Sequence, residues 1–364
     1  MKVALITPSL NGGGSERVTV NLGNQLKENG HKVIIHTFSK KGPMLQNIDG
    51  GIVVQSQDTK TLKSSIFSFR KYLASLNKMD ILISNSRISS IVCGVYKRLC
   101  LLKVQCIFNE QNTLDEVERL KFFKRKILIY LQQFAYKSAD VIVSNSQDTQ
   151  QNLIDRKIIT STHMTRIINN PIELKTGKNL SHPWFEDTKI KVLVAAGRLT
   201  EQKNYPYLVD ILTELIKIDK HFRLMILGIG HLEETIKAKI QSQNLERFVE
   251  FLHFVDNPED YFHNSDVFVL TSSWEGFGNV VVEAMATGTQ IVVSECKGGP
   301  KEIINYGEFG YLGPLGKPKE FSEIILKAIK DDNEETRSRR LNRAKIYSLE
   351  NITKKYENLI ATIK

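Results

Sequence analysis

Two series of short apolar runs, each run followed by a segment of helical periodicity, restrict this chain more than any single motif. The first series is Lys2–Pro8, Lys32–Phe38, Asp80–Ser84 and Asp140–Ser144. The second is Lys191–Ala196, Arg223–Leu227, Phe248–Phe251, Asp266–Ser272 and Gln290–Ser294. Short continuous apolar runs suit strands buried on both faces, and their alternation with helical patterns predicts parallel sheets covered by helices. Between the series, residues 171–188 (PIELKTGKNLSHPWFEDT) show no periodicity and read as a linker. A chain of 364 residues is also too long for one ordinary core. The expectation is an α/β protein with two doubly wound domains, 1–170 and 186–348, facing an interdomain cleft. A helical tail over 349–364 is expected to cross back to the first domain.

Charge is divided unevenly between the halves. Residues 1–170 hold 24 Lys and Arg against 12 Asp and Glu, whereas residues 171–364 hold 26 against 28. The basic excess therefore belongs to the first half, which should meet something anionic. Within it, Glu118–Lys137 carries Arg119, Lys121, Lys124, Arg125, Lys126 and Lys137 among apolar residues such as Phe122, Phe123 and Ile127. Such a segment suits a membrane surface. The plainer reading is a core helix with a solvated basic face, and the charge excess favours the membrane. No run is long and apolar enough to span a bilayer. The four cysteines form no CxxC pair and the eight histidines no HExxH pattern, so no metal site is expected. RNP-like and helix-turn-helix signals are missing, so nucleic acid is not an expected partner.

Four loops follow strand-like runs. Gly12-Gly-Gly-Ser-Glu-Arg17 precedes Val18, Leu22 and Leu26 at helical spacing, with Ser15 the expected N-cap and Gly30 closing the helix. Val194-Ala-Ala-Gly-Arg-Leu-Thr-Glu-Gln-Lys203 places two cations, Arg198 and Lys203, beyond a strand's carboxyl end. Arg grips phosphate oxygens as a fork and Lys acts as a point charge. Gly228-Ile-Gly230 follows the next strand. Trp274-Glu-Gly-Phe-Gly-Asn-Val-Val-Val-Glu-Ala-Met285 joins strand, glycine turn and helix, an arrangement that aims backbone N–H groups at an anion. Its carboxylates, Glu275 and Glu283, suit sugar hydroxyls. Together these features suggest a sugar nucleotide, with the cations stabilising charge on a departing diphosphate. Neither glycine loop completes GxGxxG, and no GxxxxGK[ST] exists, so dinucleotide and P-loop readings are disfavoured. Asn109-Glu110-Gln111-Asn112 is a polar cluster in the first half, and Phe108, Phe122, Phe134 and Phe254 are read as core.

These motifs, in this order, resemble the retaining GT-B glycosyltransferases of glycosyltransferase family 4. The resemblance spans nearly the whole chain and includes Gly298-Gly-Pro-Lys-Glu-Ile-Ile304. It implies a GT-B fold of two Rossmann-like domains, with the acceptor side in 1–170 and the nucleotide-sugar site in 186–348. It implies that Gly197, Arg198 and Lys203 hold the donor diphosphate and that Gly13 and Gly14 close over it. Gly228 and Gly230 would lie beside the nucleobase, Glu275 would bind the transferred sugar, and Glu283 the ribose. Gly276, Phe277, Gly278, Asn279 and Val280 would offer backbone to sugar and phosphate. Arg198, Lys203 and Glu275 are the residues expected to carry catalysis, with no cofactor and no metal. Glu110, Gln111 and Asn112 would contact acceptor or sugar. Many family members have histidine near Gln111, and an amide carries no proton at that place. The implied activity moves a hexose or N-acetylhexosamine from a UDP-sugar, with retention, to a lipid-linked or lipopolysaccharide glycan. The enzyme would sit in the cytoplasm, peripheral on the inner membrane face. A UDP-sugar epimerase or hydrolase is the rival on the same fold.

Overall fold

The computed structural model describes residues 1–59, 61–113, 117 and 121–363. It divides into two compact units, Met1–Ile172 with Ser348–Lys364, and Glu173–Tyr347. Among the described residues each unit holds one sheet, of seven and six strands, in which every strand pair is parallel.

In the first unit the strands are β1 (Lys2–Thr7), β2 (Lys32–Thr37), β3 (Val53–Ser56), β4 (Ile81–Ser84), β5 (Gln105–Glu110), β6 (Val141–Ser144) and β7 (Thr165–Ile167). Their order is β3-β2-β1-β4-β5-β6-β7. Side chains alternate across a strand, so each run feeds two cores. Ala4, Ile6, Leu82, Cys106, Phe108 and Ile142 turn to one face, under helices Leu62–Phe69, Arg87–Arg98 and Phe122–Tyr136. Val3, Leu5, Ile81, Ile83, Ile107, Val141 and Val143 turn to the other, with Leu22 and Leu26 of helix Gly14–Glu28 and Ile352, Tyr356 and Leu359 of helix Leu349–Thr362. A buried chain of polar groups ties that last helix to the sheet: Asn109 Nδ2 donates to the Tyr356 hydroxyl (2.6 Å) and to Asn85 Oδ1 (3.0 Å), and Asn85 donates to Thr19 Oγ1 (3.2 Å).

In the second unit the strands are β8 (Lys191–Ala196), β9 (Phe222–Leu227), β10 (Val249–His253), β11 (Val267–Leu270), β12 (Gln290–Ser294) and β13 (Tyr311–Gly313), in the order β10-β9-β8-β11-β12-β13. Leu193, Leu224, Val267 and Val292 form one core with helices Tyr205–Ile218 and Pro318–Lys330. The aspartates heading three strands have a common use. Asp80, Asp140 and Asp266 each accept the backbone N–H of a neighbouring strand, from Lys2, Cys106 and Val192, at 2.6–2.8 Å.

Several expectations change. Helix Gly14–Glu28 begins at Gly13 with no side-chain cap, and Ser15 instead lies inside it and donates to Glu16 Oε2 at 3.0 Å. Segment 171–188 is not a free linker. Lys178 N donates to Asp260, Asn264 donates back to the Lys178 carbonyl, both at 2.7 Å, and residues 183–186 form a helical turn. These are long-range bonds from irregular backbone, which periodicity cannot reveal. Strands β3, β7 and β13 are short and carry too few apolar residues to be read as strands. Of the basic segment, Glu118 and Arg119 lie outside the described residues, and Phe122–Tyr136 is helical.

One buried group makes stability depend on pH. His36, near the carboxyl end of β2, packs against Phe38, Phe69 and Tyr72, and burial lowers its pKa to about 4. Its Nε2 lies 2.9 Å from the Gln57 amide nitrogen, so the ring accepts there, as only a neutral ring can. A depressed folded pKa means the unfolded chain binds the proton first. Stability is therefore full above the ordinary histidine value of 6.5 and is lost as pH falls towards about 4. Every tenfold loss of proton affinity on folding corresponds to about 1.4 kcal/mol. Urea titrations between these limits should show a steep acid loss that is flattened in His36→Phe; an identical slope in the variant refutes the assignment.

Candidate functional site

In an open parallel sheet, ligands gather at the carboxyl ends of strands where the order reverses, because the loops on either side part there. In the second unit that point lies between β8 and β11. The loop leaving β8 carries Gly197, Arg198 and Lys203, and the loop leaving β11 carries Glu275. The structure joins them. Lys203 Nζ lies 2.6 Å from Glu275 Oε1, with side chains 15% and 8% exposed. Ser272 Oγ donates to the same oxygen at 2.7 Å, and Gln202 Nε2 donates to Glu275 Oε2 at 3.2 Å. Glu275 is thus immobilised by three donors. Lys203 is a paired charge in this structure. Arg198 is exposed and has no ion pair among the described residues.

Glycines let the surrounding backbones touch. Gly298 has φ +118°, and a Cβ there would stand 2.0 Å from the Glu275 carbonyl oxygen. Glu275 N donates to the Lys297 carbonyl (2.9 Å) and Gly299 N to that of Gly276 (3.0 Å), so the two loops run side by side. A Cβ on Gly228 would stand 2.0 Å from the Gly197 carbonyl oxygen, and Leu199 N donates to the Ile229 carbonyl at 3.0 Å. Tyr205 OH holds the Gly197 carbonyl at 3.1 Å. Burial, with Glu275 nearby, pushes the Tyr205 hydroxyl far up, and the same causes push the Cys296 thiol up to about 12. Both stay neutral beside the site.

The other expected donor residues divide by what their side chains can do. Phe277 is 2% exposed and packs on Tyr347 with ring centroids 5.4 Å apart, so only its backbone is available to a ligand. Gly278, at φ 93°, begins helix Asn279–Met285 without a side-chain cap. Val281, Val282, Ala284 and Met285 are buried by that helix, while Asn279, Val280 and Glu283 remain half-buried. Gly230 packs against Leu199, whose carbonyl oxygen lies 2.4 Å from a Cβ built there.

Phe122 and Phe254, both expected in the core, are 53% and 68% exposed. A register shift between Phe251 and His253, and His253 at φ 51°, turn the chain outwards at the end of β10. Gly228 N donates to the His253 carbonyl at 2.6 Å, which fixes this corner beside the Gly228–Gly230 loop. Ile229, after β9, is also exposed, so one apolar side chain stands one strand out and Phe254 two strands out from β8, the strand that leads to Lys203. Neighbouring strands lie about 4.8 Å apart, so the two-strand step is ~10 Å.

The matching reversal in the first unit lies between β1 and β4. The loop Gly12–Gly14 leaves β1 there, but Glu16 folds over it. Ser9 Oγ donates to Glu16 Oε1 at 2.8 Å, and a Cβ on Gly13 would stand 2.4 Å from Glu16 Oε2. The Glu16 carboxylate, rather than open space, covers Gly13. Glu110 is a correction too. It is 1% exposed at the end of β5 and takes bonds from Gln132 Nε2 (2.8 Å), Tyr136 OH (3.0 Å) and Arg87 Nη2 (3.3 Å). The same Arg87 nitrogen donates to the Asn112 and Thr113 carbonyls at 3.3 and 3.2 Å. Glu110 therefore braces the loop from inside, and Gln111 and Asn112 are the partly exposed members. Sequence reasoning missed Gln202, Ser272 and Arg87. Each acts only through a partner distant in the chain, and no local spacing marks them.

Two family models match. Residues 12–176 match "Glycosyltransferase Family 4" and residues 178–346 match "Glycosyl transferases group 1". The chain belongs to these glycosyltransferases. The glycosyltransferase is 30% identical over 232 residues, 63% of it and 62% of the relative, to an N-acetylgalactosamine-N,N'-diacetylbacillosaminyl-diphospho-undecaprenol 4-alpha-N-acetylgalactosaminyltransferase of Campylobacter jejuni. It is 24% identical, over 100% of its length and 99% of the relative's, to a second C. jejuni enzyme, an alpha-1,4-N-acetyl-D-galactosaminyltransferase acting on a diNAcBac-PP-undecaprenol glycan. The matched stretches span 66% and 62% of two curated relatives, the former an uncharacterized glycosyltransferase of Methanocaldococcus jannaschii. Among solved structures, Anabaena HepE in complex with UDP and glucose superposes with a TM-score of 0.80 over 100% of both chains at 19% identity. That likeness, with the two parallel sheets, establishes the GT-B fold.

Proposed function

We propose that this glycosyltransferase moves a hexose or N-acetylhexosamine from a UDP-sugar, with retention and without a metal, to a lipid-linked glycan during assembly of capsule, O-antigen or lipopolysaccharide. The observation that carries the reading is the Lys203–Glu275 pair at the sheet reversal, with Arg198 exposed beside it. A diphosphate entering there meets Arg198 and attracts Lys203, and Glu275 keeps one fixed carboxylate for sugar hydroxyls. As the sugar leaves, charge growing on the diphosphate is met by these cations, drawn to it when the donor binds. The acceptor hydroxyl bonds to the anomeric carbon on the face the diphosphate leaves, the donor's own phosphate oxygen takes the hydroxyl proton, and Gln111 and Asn112 contact the acceptor or sugar. Across the sheet, ~10 Å suits the span from diphosphate to base. Phe254 and Ile229 then flank the uracil, and Glu283 takes the ribose.

The acceptor's lipid is drawn from the C. jejuni relatives, whose names specify undecaprenyl-diphosphate glycans. The first unit supports a surface location. Phe122, Phe123, Ile127 and Tyr130 are 53%, 77%, 61% and 68% exposed on a helix that also carries Lys124, Arg125 and Lys126. Lys126 Nζ stands 4.3 Å from the Phe122 ring centroid. Apolar rings interleaved with cations suit the bilayer interface. Among the described residues no helix is long and apolar enough to cross a membrane.

The test joins calorimetry to transfer. UDP should bind more tightly than GDP, and Phe254→Ala should weaken UDP by about 10-fold while sparing inorganic diphosphate. Labelled UDP-sugars with lipid-extract acceptors should give a glycoside of retained configuration, in chelator as in buffer. No binding of any nucleotide by folded protein rejects the reading. A strict metal requirement rejects the cation mechanism alone.

A further inference from the structure

Three of the helices covering one face of the first unit's sheet carry no carboxylate. Leu62–Phe69, Arg87–Arg98 and Phe122–Tyr136 contain no Asp or Glu, and residues 59–79 hold five Lys and Arg with no acid. These helices are a packed layer. The Tyr96 hydroxyl donates to the Ile66 carbonyl at 2.6 Å, and Ser138 Oγ donates to that of Gly94 at 3.0 Å. Gly94 permits the second contact, since a Cβ there would lie 2.6 Å from that of Ala135.

At the edge of this layer lies a groove of about 570 Å³. Ser64, Phe67, Ser68 and Lys71 recur at helical spacing and line it, with Thr61 and Lys63 alongside. Ile66 and Phe69 of the same helix face the core, so this stripe is its outward face. Outward faces of surface helices are ordinarily polar, yet Phe67 is 72% exposed here. Neither Lys63 nor Lys71 forms an ion pair among the described residues.

We propose that this groove holds the phosphate headgroup of an anionic phospholipid, with Lys63 and Lys71 on the phosphate, Ser64 and Ser68 as further donors, and Phe67 among the first acyl methylenes. The inference rests on the membrane reading above. Charge complementarity selects the anion, and the exposed rings select a lipid over a soluble polyanion. Phe67, Phe122, Phe123 and Ile127 gain nothing from a water-soluble ligand, whereas a bilayer supplies both the charge and the apolar phase.

Vesicle flotation and a monomeric short-chain phosphatidic acid separate the possibilities. The wild-type chain should float with phosphatidylcholine vesicles containing phosphatidic acid and not with phosphatidylcholine alone. Short-chain phosphatidic acid should shift amide resonances of residues 61–71 saturably. Lys63→Gln/Lys71→Gln should weaken that binding about 30-fold, at ~1 kcal/mol per cation. Lys354→Gln/Lys355→Gln, on the exposed side of the last helix, should leave it unchanged. Phe122→Ala/Phe123→Ala should impair flotation while sparing the short-chain lipid. No flotation of the wild-type chain ends the membrane reading. Flotation without shifts at 61–71, or equal affinity in the Lys63/Lys71 variant, ends the groove proposal alone. Inorganic phosphate binding as tightly as the lipid makes this a phosphate site and also overturns it.

Discussion

Lys203→Met should lower turnover by about 10²–10³-fold or more, since it removes a positive charge from the departing diphosphate. It should also cost stability. Glu275 is 6% exposed and lies against Lys203, so losing the cation leaves a buried carboxylate held only by Ser272 and Gln202. Breaking one side of a buried pair costs roughly 3–5 kcal/mol. Lys203→Met/Glu275→Gln removes both charges and should regain most of that stability while remaining inactive. The cycle of single and double variants then separates structure from chemistry. Turnover close to normal in Lys203→Met contradicts the clamp role. A double variant as unstable as Lys203→Met shows that the carboxylate is not the source of the loss.

Gly298→Ala should be nearly as damaging, although it changes no charge. Its Cβ would stand 2.0 Å from a backbone oxygen of Glu275, and that segment is held to 297–299 by two backbone bonds. A flexible side chain could move aside, but a paired backbone cannot without carrying Glu275 with it. Donor affinity should fall at least about 10-fold, and turnover further, because a small misplacement is costly in a preorganised site. Gly316→Ala is the control. Gly316 also has positive φ, 77°, but nothing lies within 4 Å of its added Cβ. It should lose about 1 kcal/mol of stability with little change in turnover. Equal loss in both variants, measured by calorimetry and initial rates, shows that strain rather than the clash is responsible.

The strands β1, β8, β11 and β12 are legible in the sequence because a strand buried on both faces must be apolar along its whole length, and that is a local property. The loops at the site are legible for a related reason. In a doubly wound sheet the carboxyl ends are the open ends, so Gly197–Lys203 and Trp274–Gly278 declare themselves by following such runs. Their glycines hint at close approach, but not at which backbone. Phe254 is misplaced by sequence because hydrophobicity alone puts it inside, and only the register shift at the end of β10 turns it out.

Sequence by itself determined the α/β alternation, its division into two series and the basic character of the first, since each follows from residues near one another in the chain. Tertiary structure alone decided that Lys203 and Glu275, 72 positions apart, neutralise each other, and that Tyr356 reaches Asn109 across 247. It alone turned Glu110 inwards and gathered three carboxylate-free helices on one face. The physical reason is common to these cases: a charged or polar group is defined by what lies within a few ångströms of it, and strand order, not chain position, sets those neighbours.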